Sequence, residues 1–201
     1  MKTKMSDSHS FSFGSGALCL DFVNTCGDRP QCSEEHLGTV EDLLRWGAEA
    51  GLVSGDETNR FLHTGGGGVL QETLAFREAV YAVCSALADG RVPDRRELAV
   101  INSMLHVALP NLELGVRGGG CCWGWSDAST VSDRVLWPVA RSAADLLTGD
   151  EIEQLRECAG EGCSWLFLDR SRNHRRKWCS MSSCGNRAKA RRHYARSKSE
   201  G

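Results

Sequence analysis

Two pairs of cysteines constrain this chain more than any other feature. Cys158-Ala-Gly-Glu-Gly-Cys163 and Cys179-Ser-Met-Ser-Ser-Cys184 share C-x4-C spacing, and fifteen residues separate them. Each pair can curl into a knuckle that turns two sulfurs toward one point, with Gly160 and Gly162 supplying the permissive backbone of the first. Four thiolates close a tetrahedral Zn²⁺ shell, and a closed shell is structural because it leaves no position for water or substrate. Four unrelated buried thiols would not need matched spacing. With four cysteines available, His174 and His193 are not needed as ligands. The site carries a formal charge of −2, which the neighbouring Arg156 and Lys177 are expected to offset. Metal binding supplies on the order of 10 kcal/mol to such modules, so loss of one cysteine is expected to unfold the module and spare the rest.

Charge divides the chain in the same place. Residues 156–198 carry twelve basic against three acidic residues, a net +9; the remainder carries twelve against twenty-three, a net −11. An acidic body is therefore joined to a basic, polyanion-seeking end. Ten cysteines in 201 residues are too few for a disulfide scaffold, and the body is long enough to bury a core without staples. No apolar run approaches the roughly 18 residues that span a bilayer, and no apolar stretch follows the charged start, so a cytoplasmic protein is expected.

Residues 1–10 are polar and expected to be disordered. Residues 11–150 read as a mainly helical domain with one β-hairpin. Leu18, Leu20, Phe22 and Val23 form a cluster whose period does not choose between strand and helix. Thr39 with Asp42, and Ser54 with Glu57, have capping-box spacing. Leu70, Leu74, Arg77, Tyr81 and Cys84 mark a helix over 69–89, closed by Gly90, and Asp94 with Glu97 opens another. Leu112, Leu114 and Val116 alternate before a Gly118-Gly119-Gly120 turn, and Trp123 and Trp125 alternate after it, which predicts a hairpin. Pro138 is placed as the first residue of a helix ending at Gly149. Gly65–Gly68 reads as a linker rather than a phosphate cradle, since no strand precedes it and no Lys-Ser/Thr follows.

Residues 151–201 read as the zinc module. Asp150 and Glu153 cap a short helix into Cys158; Trp165–Leu168 form a strand; Arg175–Trp178 return beside it; a helix begins after Cys184. Knuckle, hairpin, knuckle and helix is a treble-clef-like order. On the last helix Ala190 and Tyr194 form a narrow seam for packing on the knuckles, with Arg187 close to it. Arg187 is therefore expected to be structural, paired with Asp169, while Asn186 caps the helix or braces the knuckle and Trp178 belongs to the module's core. Lys189, Arg192 and Arg196 share another face, with Arg191 beside it, and Arg175, Arg176 and Lys177 form a second basic strip. These seven are the candidate nucleic-acid contacts.

Trp178-Cys179…Cys184-Gly185-Asn186-Arg187-Ala188-Lys189 resembles the signature of CGNR zinc-finger proteins, and Cys158…Cys163-Ser-Trp-Leu-Phe-Leu-Asp169 resembles their first knuckle and strand. Leu18-Cys19-Leu20-Asp21-Phe22-Val23-Asn24-Thr25, Leu43-Leu44-Arg45-Trp46 and Leu74-Ala75-Phe76-Arg77-Glu78 resemble the ABATE domain that usually precedes this finger. The resemblance spans almost the whole chain and implies a bacterial, stress-associated transcription regulator. Cys121-Cys122 and the glycine tracts are local features outside it.

The expected function is a zinc-containing, DNA-binding transcriptional regulator. Its acidic body is the place for a small-molecule effector or protein partner, with Asp21 and Asn24 as candidate pocket residues; a cap and a turn residue are the other reading of that pair. RNA binding competes, although Trp165, Phe167 and Trp178 read as core rather than stacking platforms. A zinc-stapled protein-interaction scaffold is the alternative from another class. No spacing matches a nucleophile elbow, a zincin helix or a dinucleotide loop, so no catalysis is expected. Cys19, Cys26 and Cys32 read as separate core or loop cysteines, with a second metal or redox site as the alternative.

Overall fold

The computed structural model describes residues 11–61, 68–126 and 131–199. The segment 1–10 and the glycines at 65–67 lie outside them. The N-terminal body packs helices α1 (Leu18–Val23), α2 (Val40–Glu49), α3 (Gly55–Phe61), α4 (Val69–Ala88), α5 (Arg95–Ala108) and α6 (Val131–Thr148) around one core. Trp46, Phe22 and Phe76 sit at its centre, with the Phe22 ring edge-on to Trp46 at 5.2 Å. Both expected capping boxes form: Asp42 N donates to Thr39 Oγ1 at 3.1 Å and Glu57 N to Ser54 Oγ at 3.3 Å.

Helix α1 explains why its sequence carries no decisive period. Cys19, Leu20, Phe22 and Val23 are all buried, so the helix is apolar on nearly every side. Helix α6 begins at Val131 and encloses Pro138, which is therefore not a first-turn residue. The stripe Val135, Val139, Ala143 and Leu146 packs continuously into the core on both sides of the proline and outweighs the hydrogen bond its ring removes.

The expected hairpin is β3 (Leu112–Arg117) with β4 (Gly120–Trp125), antiparallel in register Leu112 to Trp125. Its turn residues Gly118 and Gly119 both have positive φ, 60° and 82°, as a two-residue turn matched to strand twist requires. A second, short pair joins β1 (Cys26–Gly27) to β2 (Glu34–Glu35).

The C-terminal region departs from expectation in its strands. Asp150–Gln154 is a 3₁₀ turn, and β5 (Leu155–Glu157) follows it where a helix was expected to run into Cys158. Strand β6 (Leu166–Leu168) pairs antiparallel with β5, not with residues 175–178, which are irregular. The hairpin thus encloses the first knuckle rather than joining the two. The reason is apolar: Leu155, Leu166 and Leu168 are buried in the same core as α1, α4 and α6.

Polar contacts tie β5 and β6 to the body as closely. Leu168 N donates to Ser15 O at 2.8 Å, and Ser85 Oγ on α4 donates to Glu157 at 2.8 Å. Gly16 has φ +102° and lies against β6; a Cβ there would stand 2.9 Å from Leu168 Cβ. The C-terminal helix α7 (Asn186–Ser199) follows a π-type turn over Met181–Gly185.

Candidate metal centre and nucleic-acid interface

The four cysteines converge at the end of the β5–β6 hairpin. Cys158 leaves β5, Cys163 precedes β6, Cys179 follows the irregular return, and Cys184 lies in the turn before α7. Their sulfurs all lie within 4.8 Å of one another. A tetrahedral ion with Zn–S bonds of about 2.3 Å sets its ligand sulfurs about 3.8 Å apart. Cys163 and Cys179 stand at 3.8 Å, and Cys179 and Cys184 at 3.7 Å. The residues therefore fit one structural Zn²⁺. Gly160 makes the convergence possible, since a Cβ there would lie 3.0 Å from Cys184 Sγ and 3.4 Å from Cys158 Sγ.

The four cysteines hold their protons unequally. Hydrogen bonds from the Cys163 and Cys179 thiols draw the Cys158 pKa down to about 2, and hydrogen bonds with Cys158 and Cys163 push Cys179 up. A divalent ion resolves this by letting all four bind as thiolates. Backbone donors already face the sulfurs: Cys179 N at 3.2 Å and Gly160 N at 3.4 Å from Cys158 Sγ.

Arg187 supplies a cation to the cluster. Its guanidinium donates to Cys184 Sγ at 2.9 Å, one turn back along the chain, and the residue is otherwise exposed. The expected pairing with Asp169 is thus corrected, because the Cys184 sulfur lies within reach and the carboxylate is already occupied. Asp169 is buried and staples the turn after β6: it accepts from Ser171 N at 3.0 Å and Ser171 Oγ at 2.5 Å, and from Arg176 N at 2.9 Å. The Ser171 hydroxyl, outweighing burial, holds that carboxyl below its usual range. Arg156 does not face the metal cluster; it donates to the carbonyls of Glu153 and Leu155. Asn186 reaches back to Ser182 O at 3.1 Å, and half-buried Trp178 packs with Phe167, Trp165 and the cysteines.

The basic candidates separate into two groups. Arg176 does not belong to the strip: its guanidinium lies over the Phe167 ring at 4.3 Å, donates to Trp178 O at 3.0 Å and bonds Cys179 O. It holds the second knuckle on the first. Arg175 and Lys177 flank it and are exposed. On α7, Lys189, Arg191, Arg192 and Arg196 are exposed, with Arg191 paired to Glu161 on the first knuckle. The packing seam expected from Ala190 and Tyr194 is absent: both are exposed, Tyr194 at 73%.

Asp21 and Asn24 do not share a pocket. Asp21 accepts from Gly14 N and Ser15 N at 3.0 and 2.9 Å beside a shallow depression, and burial raises its pKa despite these bonds. Asn24 is buried and fully engaged with β6. Its Nδ2 donates to Leu166 O at 2.8 Å, and its Oδ1 accepts from Leu166 N at 2.9 Å. It fills the backbone positions of a missing neighbouring strand. A more enclosed cleft of about 400 Å³ lies elsewhere, between β4 and α6, lined by Trp123, Trp125, Pro138 and Arg141. Nothing in the residue spacing marked it, since the hairpin and α6 meet only in the folded chain.

Residues 16–150 match the ABATE family model, described as "Putative stress-induced transcription regulator", and residues 154–197 match the CGNR zinc finger. Both are regulator or zinc-finger families. No curated protein matches the chain. Among the described residues no helix is long and apolar enough to cross a membrane. With four sulfurs gathered at metal-ligand distance behind a helical body, and with both family models matched in that order, the chain belongs to the ABATE family and carries a C-terminal CGNR zinc finger.

Proposed function

We propose that this chain is a cytoplasmic regulator that binds double-stranded DNA through α7 and the irregular strip beside it. One observation carries the reading. Helix α7 buries no described side chain, yet it is anchored at its start by the Cys184 turn, and residues 186–199 hold six basic and no acidic residues. A helix with no face to bury gains nothing from tertiary packing, so its exposure is explained by a partner, and its charge selects a polyanion. Lys189, Arg192 and Arg196 form one face of phosphate contacts, with Arg191, Arg175 and Lys177 beside it; Arg176 is withdrawn from the set. The acidic body repels non-specific duplex and offers the cleft beside Trp123 and Trp125 to a small-molecule effector.

Six phosphate contacts release counterions, so affinity of the full chain for duplex DNA falls about a thousandfold between 50 and 200 mM salt. A titration against duplex DNA, single-stranded DNA and single-stranded RNA tests this. RNA outcompeting duplex at matched salt replaces DNA by RNA as the ligand. Flat curves for all three polymers at low salt overturn the reading and leave a protein-interaction scaffold. The full chain is required, because the hairpin that carries the first knuckle completes its core only with the body.

A further inference from the structure

A second cysteine pair lies outside the zinc cluster, in β1 and the loop that follows it. Cys26 is the first residue of β1 and Cys32 lies on the loop that joins it to β2, and their sulfurs stand 2.6 Å apart. Closing to the roughly 2.05 Å of a covalent bond needs about half an ångström of movement. The contrast with the zinc cluster decides what the pair can do. A separation of 2.6 Å is far too short for two sulfurs on one tetrahedral ion, which sets them about 3.8 Å apart. The third donor nearby, Glu78, is already bound to the Arg29 and Arg77 guanidinium groups at 2.7 and 2.8 Å. The site is built for a sulfur–sulfur bond rather than a metal.

The loop is held in this geometry from both sides. Asp28 and Cys32 occupy the left-handed region, at φ 55° and 49°, a conformation aspartate takes readily and cysteine uncommonly. Cys32 N donates to Asp28 O at 2.8 Å, closing the turn. Arg29, within the loop, lies over the Tyr81 ring at 4.0 Å and donates to Cys26 O and Val23 O, each at 2.7 Å.

The two thiols differ in access. Cys26 is fully buried, while Cys32 is half-buried and lines an open cleft of about 540 Å³ with Pro30, Leu74 and Tyr81. Burial, followed by the Cys32 thiol, pushes the Cys26 pKa up to about 12 against the pull of Arg29 and Arg77, so Cys26 is held as a thiol. Cys32 is the sulfur a solute meets first.

We infer that Cys26 and Cys32 form a reversible dithiol–disulfide site oxidised by hydroperoxides entering the Cys32 cleft. The Cys32 thiolate attacks one oxygen of the peroxide. The O–O bond breaks, an alcohol or water leaves with a proton, and Cys32 becomes a sulfenic acid. The Cys26 sulfur then attacks the Cys32 sulfur; the S–S bond forms, the S–O bond breaks, and the oxygen leaves as water with the Cys26 proton. Two thiols and one hydroperoxide thus yield a disulfide, one alcohol (or water) and one water, and a reducing dithiol reverses it by exchange.

The loop leans on the first zinc knuckle. Arg29 N donates to Ser164 Oγ at 3.1 Å, directly after Cys163, and Asp28 Oδ1 lies 3.5 Å from where a Cβ of Gly162 would stand. The site therefore adjoins the metal cluster without sharing a ligand with it.

The experiment treats full-length, zinc-loaded protein with hydrogen peroxide, alkylates free thiols and maps peptides by mass spectrometry, with zinc release followed in parallel. A Cys121→Ser/Cys122→Ser background removes the adjacent hairpin thiols. The expected result is a Cys26–Cys32 crosslink that loses the mass of two hydrogens, appears before zinc is released, and disappears on adding dithiothreitol. The Cys32→Ser variant loses the crosslink and retains its zinc. Disulfides among Cys158, Cys163, Cys179 and Cys184 forming first, or Cys26 and Cys32 both remaining alkylatable after peroxide, overturn the inference. Because Cys26→Ser alters a buried position, wild-type peptide mapping rather than that variant carries the result.

Discussion

The two halves of the zinc finger are built on opposite principles. The first half, β5, the first knuckle and β6, is fused to the helical body: Leu155, Leu166 and Leu168 are core residues, and Asn24 completes the edge of β6 with its side-chain amide. The second half, the Cys184 turn and α7, projects with no buried side chain beyond Gly185 among those described. Four cysteines span the two. One half is therefore tied to the stability of the whole chain, and the other stays exposed on it. The family boundary near residue 150 is a boundary of sequence, not of packing.

The largest effect that probes this comparison comes from the metal. A Cys158→Ser variant loses zinc, and with it on the order of 10 kcal/mol of binding energy that holds β5 and β6 in place. Its melting, like that of chelator-treated wild type, should fall for the whole chain rather than for the finger alone. This revises the expectation that the body is spared, and an unchanged helical melting transition after zinc removal would restore it.

Next in size is Leu166→Ala, a truncation in the shared core. It should cost about 2–5 kcal/mol, read as one lowered cooperative transition by chemical denaturation. A two-step transition with an unaffected body would show that the halves are independent after all.

Arg187→Ala sits at the junction. Its guanidinium bonds Cys184 Sγ but is exposed, so global melting should move little, while zinc is lost to a competing chelator roughly tenfold more readily, at the low end for a group bonded to a metal ligand. A large drop in melting temperature with unchanged zinc retention would instead point to an inward role for this side chain.

The smallest effect on folding belongs to Arg192→Ala on the exposed face of α7. Melting should be unchanged, while duplex DNA binding weakens and the salt slope falls by about one unit. Equal binding by the variant and wild type at low salt would move the contact face to another side of α7.

Much of this arrangement can be read from residue order. Capping boxes at Thr39 and Ser54, the long α4, the glycine turn between β3 and β4, and the matched cysteine spacings all depend on neighbours within a few residues, and the structure contains each of them. Other features depend on distant partners. Leu18–Val23 is helical because it is buried on nearly every side, which erases the period that would announce it. Pro138 stays inside α6 because the core holds the helix on both sides of it. Arg176 reads as one more cation in a basic strip, yet the Phe167 ring beneath it makes it part of the finger's framework.

The sequence by itself determined the four zinc ligands, the charge division between body and C-terminal end, and the helix-rich class, since each follows from composition or short-range spacing. Only the tertiary structure decided that β6 pairs with β5, that Asn24 caps that pair from 142 residues away, and that Cys26 and Cys32 meet. The physical reason is common to the three. Strand edges, buried amides and sulfur pairs are satisfied by whatever the collapsed core brings alongside them, and a linear pattern carries no record of that neighbour.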